Sequence, residues 1–114
     1  MFLSVVIPAF NEEESIEPLL RELVEACAAL HRPFEIVVVD DGSSDATAAR
    51  VSALASADVR LRLVSLGARC GKAAAYEAGF AAATGELVAT LDADLQNDPC
   101  ALPDLISALP PGGG

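Results

Sequence analysis

Apolar residues in this chain fall into short runs that alternate with longer stretches of helical spacing. Leu3-Ser4-Val5-Val6-Ile7 is a β-branched run ended by Pro8 and predicts a central strand. Ile16, Leu19, Leu20, Leu23, Val24, Cys27 and Leu30 then repeat at a 3.6-residue period, one stripe of an amphipathic helix. Pro18 is tolerated only in a first turn, so Ser15 is the expected N-cap and Asn11–Glu14 belong to the preceding loop. Pro33 breaks that helix, and Phe34-Glu35-Ile36-Val37-Val38-Val39 reads as a second strand.

The same alternation continues downstream. Gly42 and Ser43 permit a tight turn, and Ser43 or Ser44 is the expected cap of a helix carrying Ala48, Val51, Leu54 and Ala55. Val59-Arg60-Leu61-Arg62-Leu63-Val64-Ser65 alternates apolar and charged residues, the pattern of a half-exposed edge strand. An alanine-rich helix is expected over 73–83 with Gly85 as its C-cap, then a strand over 87–91. A last helix is expected over 101–109, and Pro110–Gly114 reads as a disordered tail or a cut end. The fold class is therefore α/β, a three-layer sandwich around a mostly parallel sheet with right-handed crossovers. A strand order of 3-2-1-4 would place the ligand-binding switch point between the first and fourth strands, beside Asn11 and Asp92.

Composition narrows what such a sheet could bind. The 114 residues suit one domain, expected over 1–109, and their net charge of −10 argues against a nucleic-acid partner. Although 53% of residues are hydrophobic, no apolar run approaches membrane-spanning length. The N-terminus lacks a basic segment before its apolar run and carries no signal-peptide pattern, so a cytoplasmic location is expected. Cys27, Cys70 and Cys100 are widely spaced without a C-x-x-C pair and are read as reduced, partly buried thiols. His31, the single histidine, reads as a solvated surface residue.

The acids are where chemistry gathers. Glu12, Glu13, Glu14, Asp40, Asp41, Asp45, Asp92, Asp94 and Asp98 all lie in loops after predicted strands, which a parallel sheet brings to one edge. Crowded like charges repel, and a divalent cation is the simplest offset. Asp92 and Asp94 follow an apolar strand two residues apart, so they can point the same way, with Gln96 just beyond. Their hard oxygen donors suit Mg²⁺ or Mn²⁺. Glu13, Glu14 and Asp45 are read as solvated loop charges. Arg69 and Lys72 flank Gly71 at a helix start, where a nearby anion would explain them. No G-x-G-x-x-G follows the first strand, no G-x-x-x-x-G-K-[ST] exists, and the chain offers no Ser/His/Asp or Cys/His set. The residues alone point to a divalent ion carrying a phosphorylated substrate, and leave open a non-catalytic binding module or a phosphatase-like enzyme with Asp92 as nucleophile.

Taken together, Val6-Ile7-Pro8-Ala9-Phe10-Asn11-Glu12-Glu13, Val38-Val39-Asp40-Asp41-Gly42-Ser43-Ser44-Asp45, Gly71-Lys72-Ala73 and Leu91-Asp92-Ala93-Asp94-Leu95-Gln96 resemble the N-terminal half of family 2 glycosyltransferases with the GT-A fold. The Asp-Ala-Asp-Leu-Gln form is similar to the branch that includes dolichol-phosphate mannose synthase and bacterial polyprenyl-phosphate sugar transferases. The resemblance implies that Pro8, Phe10, Asn11 and Glu12 line a nucleotide pocket, with Phe10 where the branch often has tyrosine. It implies that Val39 and Asp41 hold base and ribose, and that Arg69 and Lys72 lie near phosphate. Arg69 falls in a segment similar to the family's R-N-x-G-K, without the asparagine. Asp92 and Asp94 would carry the catalytic metal with Gln96 as a further ligand, and Ala93 would lie close to the sugar nucleotide. The implied reaction is inverting transfer from a UDP- or GDP-sugar to a polyprenyl phosphate at the cytoplasmic face of a membrane. Family members continue into an acceptor-binding half, so this chain is expected to be a donor half with weak or no transfer activity by itself.

Overall fold

The computed structural model describes residues 2–91. Seven elements alternate: β1 (Leu3–Ala9), α1 (Ile16–Ala28), β2 (Phe34–Asp40), α2 (Thr47–Ala57), β3 (Leu61–Ser65), α3 (Lys72–Ala82) and β4 (Leu87–Thr90). Every strand pair is parallel and the order is β3-β2-β1-β4, as the sequence predicted.

Every residue of β1 and β2 is buried, because helices cover both faces of the sheet. Strand alternation sorts their side chains between two cores. Leu3, Val5, Ile7, Phe34, Ile36 and Val38 pack with Ile16, Leu19, Leu20, Leu23 and Cys27 of α1 and Val51 of α2. Val6, Val37 and Val39 point the other way, onto Ala75 of α3. Each fully buried Val, Leu or Ile contributes about 1.5–3 kcal/mol, so these central strands fix the sheet. α3 sits unusually close to it: a Cβ on Gly79 would lie 2.2 Å from Val6 Cγ1.

The element ends differ from the sequence reading in informative ways. Ser15 does stand at the N-cap of α1, yet its hydroxyl caps no backbone N–H and instead reaches Glu12 Oε2 at 3.1 Å. Neither Ser43 nor Ser44 caps α2, which starts later, at Thr47; Glu13 Oε2 accepts the Ala46 N–H and Asp45 Oδ1 the Thr47 N–H. α3 begins at Lys72 and ends at Ala82, and Gly85 is not its C-cap. Gly85 is required for another reason: its N–H donates to Ser4 Oγ at 2.8 Å, and a Cβ there would lie 2.7 Å from the Ser4 nitrogen. Val59, expected in the edge strand, is 95% exposed in the turn before β3. Cys27 is buried, its thiol pushed up to about 11 by desolvation, whereas Cys70 is exposed rather than partly buried. His31 is exposed, as expected. The helix expected over 101–109, the tail and Cys100 lie outside the described residues.

At the amino edge of the sheet, Glu35 joins four parts of the chain. Its Oε2 accepts the Ser4 hydroxyl at 2.6 Å and the Thr84 N–H at 2.7 Å. Its Oε1 accepts from Arg62, which also donates to the Ala82 carbonyl. Desolvation pushes the Glu35 pKa up, but the donors from Ser4, Thr84 and Arg62 outweigh it and hold the carboxyl below its usual range.

Candidate functional site

The opposite, carboxyl edge is built from three loops. Strand β2 ends in two adjacent carboxylates that diverge. Asp40 Oδ1 turns back to accept the Ser43 N–H, which starts the turn. Asp41 is tied to β1 through its own N–H, which donates to Ala9 O at 2.9 Å, and its side chain is only 5% exposed. Its carboxylate accepts the Cys70 N–H at 2.7 Å and the Gly71 N–H at 3.1 Å, with Arg69 Nε at 3.9 Å. One carboxylate therefore gathers the whole β3–α3 loop. Gly42 makes that approach feasible: its φ is +73°, and a Cβ would meet the Ala68 carbonyl carbon and the Arg69 nitrogen at 2.4 Å. Gly71, at φ 101° and ψ 161°, adopts a conformation essentially reserved for glycine and turns the chain into α3.

The loop after β1 is braced against the loop after β2. The Asn11 N–H donates to Ser43 Oγ and its Oδ1 accepts the Ser44 N–H, each at 2.9 Å. The Glu12 N–H donates to Thr47 Oγ1 at 2.8 Å, and the Glu13 N–H to Asp45 Oδ2 at 3.3 Å. This corrects the reading of Glu13 and Asp45 as solvated charges: both carboxylates accept backbone N–H groups at the start of α2. Glu14 is exposed, as expected. Partial desolvation pushes the Asp45 pKa up, yet the Thr47 hydroxyl and the Thr47 and Glu13 N–H groups hold it below the usual carboxylate range.

Between these loops lies a pocket of about 260 Å³ lined by Pro8, Ala9, Phe10, Glu12, Asp41, Arg69 and Lys72. The Arg69 guanidinium lies over the Phe10 ring, 3.7 Å from its centroid, a cation–π contact that forms one wall. Chemically the pocket offers a flat aromatic and guanidinium surface, two carboxylates and two cations. That combination fits a planar ring joined to hydroxyls and to an anionic group.

Of the residues singled out from the sequence, Pro8, Phe10, Glu12, Asp41, Arg69 and Lys72 converge on this pocket. Asn11 does not line it; at φ 52° its side chain is committed to the Ser43–Ser44 turn. The Val39 side chain is fully buried and packs towards α3, and Val39 is not among the residues that line the pocket. Asp92, Ala93, Asp94 and Gln96 lie outside the described residues. The last described residue, Leu91, donates its N–H to Val6 O, two residues before Pro8. Among the described residues, no group of three or more His, Cys, Asp or Glu is placed to hold a metal ion. Sequence reasoning missed Thr47 and Glu35. For Glu35 a signal existed, a charge at an inward position of an otherwise apolar strand.

The family model for glycosyl transferase family 2 matches residues 4–112. This chain belongs to that family. The phosphatase-like alternative falls with this result, and the GT-A expectation for the sheet stands. The undecaprenyl-phosphate 4-deoxy-4-formamido-L-arabinose transferase of Sodalis glossinidius is 48% identical over 105 residues, covering 91% of this chain and 32% of that protein. The structure of glucosyl-3-phosphoglycerate synthase from Mycobacterium tuberculosis, in complex with Mn²⁺, UDP and phosphoglyceric acid, superimposes with a TM-score of 0.73. It is 33% identical and covers 93% of this chain and 38% of that one. A mannosyltransferase from Pyrobaculum calidifontis, in complex with GDP-Man and Mn²⁺, gives 0.69 at 33% identity, over 95% and 32% of the two chains. The family 2 chain described here thus spans about a third of the length of these relatives. Among its described residues no helix is long and apolar enough to cross a membrane.

Proposed function

We propose that this chain is the donor-binding half of a metal-dependent, inverting glycosyltransferase that moves a sugar from a UDP- or GDP-sugar to a polyprenyl phosphate. The observation that carries the reading is the convergence of Phe10, Glu12, Asp41, Arg69 and Lys72 on one pocket at the carboxyl edge of β1 and β2. In this reading the Phe10–Arg69 wall receives the base, Glu12 faces the ribose hydroxyls, and Arg69 and Lys72 lie towards the diphosphate. Asp41 acts first on the protein, holding the Arg69–Gly71 segment in place through Cys70 and Gly71. The ion, Mg²⁺ or Mn²⁺, would be held by Asp92, Asp94 and Gln96, whose oxygen donors fit it, with Ala93 beside the sugar nucleotide. When bound it supplies charge neutralisation for the departing nucleoside diphosphate.

Support for the substrates comes from the proteins this chain resembles: one is named for undecaprenyl phosphate, and two were solved with UDP or GDP-Man and Mn²⁺. A phosphate acceptor is already nucleophilic, so the reaction asks little of a protein base. A lipid acceptor would put the reaction at the cytoplasmic face of the membrane, with membrane contact made outside residues 2–91.

Calorimetric titration of the protein with UDP and GDP, each with and without Mn²⁺, tests the reading. Binding of one nucleotide that strengthens at least tenfold with Mn²⁺ is expected, as is a loss of about tenfold in Arg69→Ala. Absence of binding to both nucleotides would overturn it. Binding without sugar transfer is the expected result for a donor half by itself; binding without transfer that persists when an acceptor-binding half is supplied would instead leave a nucleotide-sugar-binding module.

A further inference from the structure

Thr47, the first residue of α2, is fully buried, and its hydroxyl works in both directions at once. It accepts the Glu12 N–H at 2.8 Å and donates to Asp45 Oδ1. That same oxygen takes the Thr47 N–H at 2.9 Å, and the other Asp45 oxygen takes the Glu13 N–H. Glu12 is held at two further polar atoms. Its carbonyl accepts the Ser15 and Ile16 N–H groups at 3.0 and 2.8 Å, and its Oε2 accepts the Ser15 hydroxyl. The consequence is a pocket-wall residue whose backbone is anchored from the first turn of α2, 35 residues away in sequence.

We propose that Thr47 is a positioning residue for nucleotide-sugar binding: its hydroxyl, oriented by Asp45, fixes the Glu12 backbone and thereby sets the Glu12 carboxylate in the pocket wall. The inference rests on the reading of that pocket as a nucleotide-sugar site. Threonine is suited to this role because its methyl fills buried space while one hydroxyl supplies the acceptor for Glu12 and the donor for Asp45. Valine keeps the shape and loses both, leaving the Glu12 N–H without its partner.

The test is nucleotide titration of the 114-residue chain with UDP and with GDP, each with Mn²⁺, alongside Tm. Thr47→Val is expected to weaken binding of the nucleotide that the wild type binds by about tenfold, the scale of one well-placed hydrogen bond. Thr47→Ser, which keeps the hydroxyl, is expected to stay within about twofold. Asp45→Ala removes the other end of the relay from a less buried position and is expected to cost about three- to fivefold, which serves if Thr47→Val fails to fold. In a Glu12→Ala background neither change should cost further affinity, because both act through Glu12. Ser4→Ala, at the far edge of the sheet, should lower Tm and leave affinity unchanged. Wild-type affinity in Asp45→Ala or Thr47→Val with a lowered Tm, or full additivity with Glu12→Ala, would show a purely structural hydroxyl and overturn the inference. A wild type that binds neither nucleotide removes the nucleotide-sugar reading itself, and this inference with it.

Discussion

Gly42 carries two constraints at once. Its φ of +73° costs little only for glycine, and its missing side chain leaves room for the Ala68–Arg69 peptide, which a Cβ would meet at 2.4 Å. Both constraints serve Asp41, because the peptide that packs there leads straight into the N–H groups the carboxylate accepts. Gly42→Ala is therefore expected to cost about 2–4 kcal/mol of unfolding free energy in a denaturant titration, more than a simple left-handed alanine would. A change below about 0.5 kcal/mol would mean the loop does not sit where described. The sequence marked Gly42 and Ser43 as a turn, and the family resemblance set Asp41 beside a nucleotide, but neither gave the peptide that Asp41 and Gly42 meet. Which backbone N–H a carboxylate meets is a long-range fact, 29 residues away for Cys70. The same limit made Glu13 and Asp45 look like solvated charges: their charge is visible in the sequence, and the neighbouring loop that supplies their donors is not.

At the scale of elements, α3 shows packing winning over helix propensity. Alanine is worth about 1 kcal/mol more than glycine inside a helix, so Gly79 weakens α3 taken alone. Against the sheet the order reverses, since a Cβ would sit 2.2 Å from Val6 Cγ1 and 3.2 Å from Val39 Cγ2. Gly79→Ala should accordingly destabilise the protein by about 1–3 kcal/mol despite its better helix propensity. Adding Val6→Ala should recover part of that loss, so the two changes are non-additive; strict additivity in thermal melts would contradict the close approach. Apolar runs and periodicity sufficed for a parallel sheet and for the stripe of α1, because burial on both faces leaves few alternatives; the strand order went with the family resemblance rather than with the pattern. Element ends were less legible. The N–H groups at the start of α2 are taken by Asp45 and by Glu13 from another loop, and Gly85 serves Ser4 rather than a helix terminus.

Across the whole molecule the two edges of the sheet have different occupations. The carboxyl edge holds the pocket, and the amino edge holds Glu35, about 20 Å away along β2 at the rise of a strand. The folded-state pKa of Glu35 is depressed, so its contribution to stability is complete above the ordinary glutamate value of about 4.3 and is lost as pH falls through the lower folded-state value. Glu35→Gln should flatten the acid limb of a Tm-against-pH curve while leaving nucleotide affinity at neutral pH within about twofold, since none of the Glu35 partners lines the pocket. An acid limb as steep as in the wild type would assign that sensitivity elsewhere.

The Glu35 cluster also offers a route for engineering. Residues 4, 35, 62 and 84 can be redesigned as a set for acid tolerance or heat resistance, with the carboxyl-edge pocket left as a fixed boundary condition. A library built there would separate gains in robustness from changes to the pocket, two effects that are entangled when mutations fall among the loops of the opposite rim.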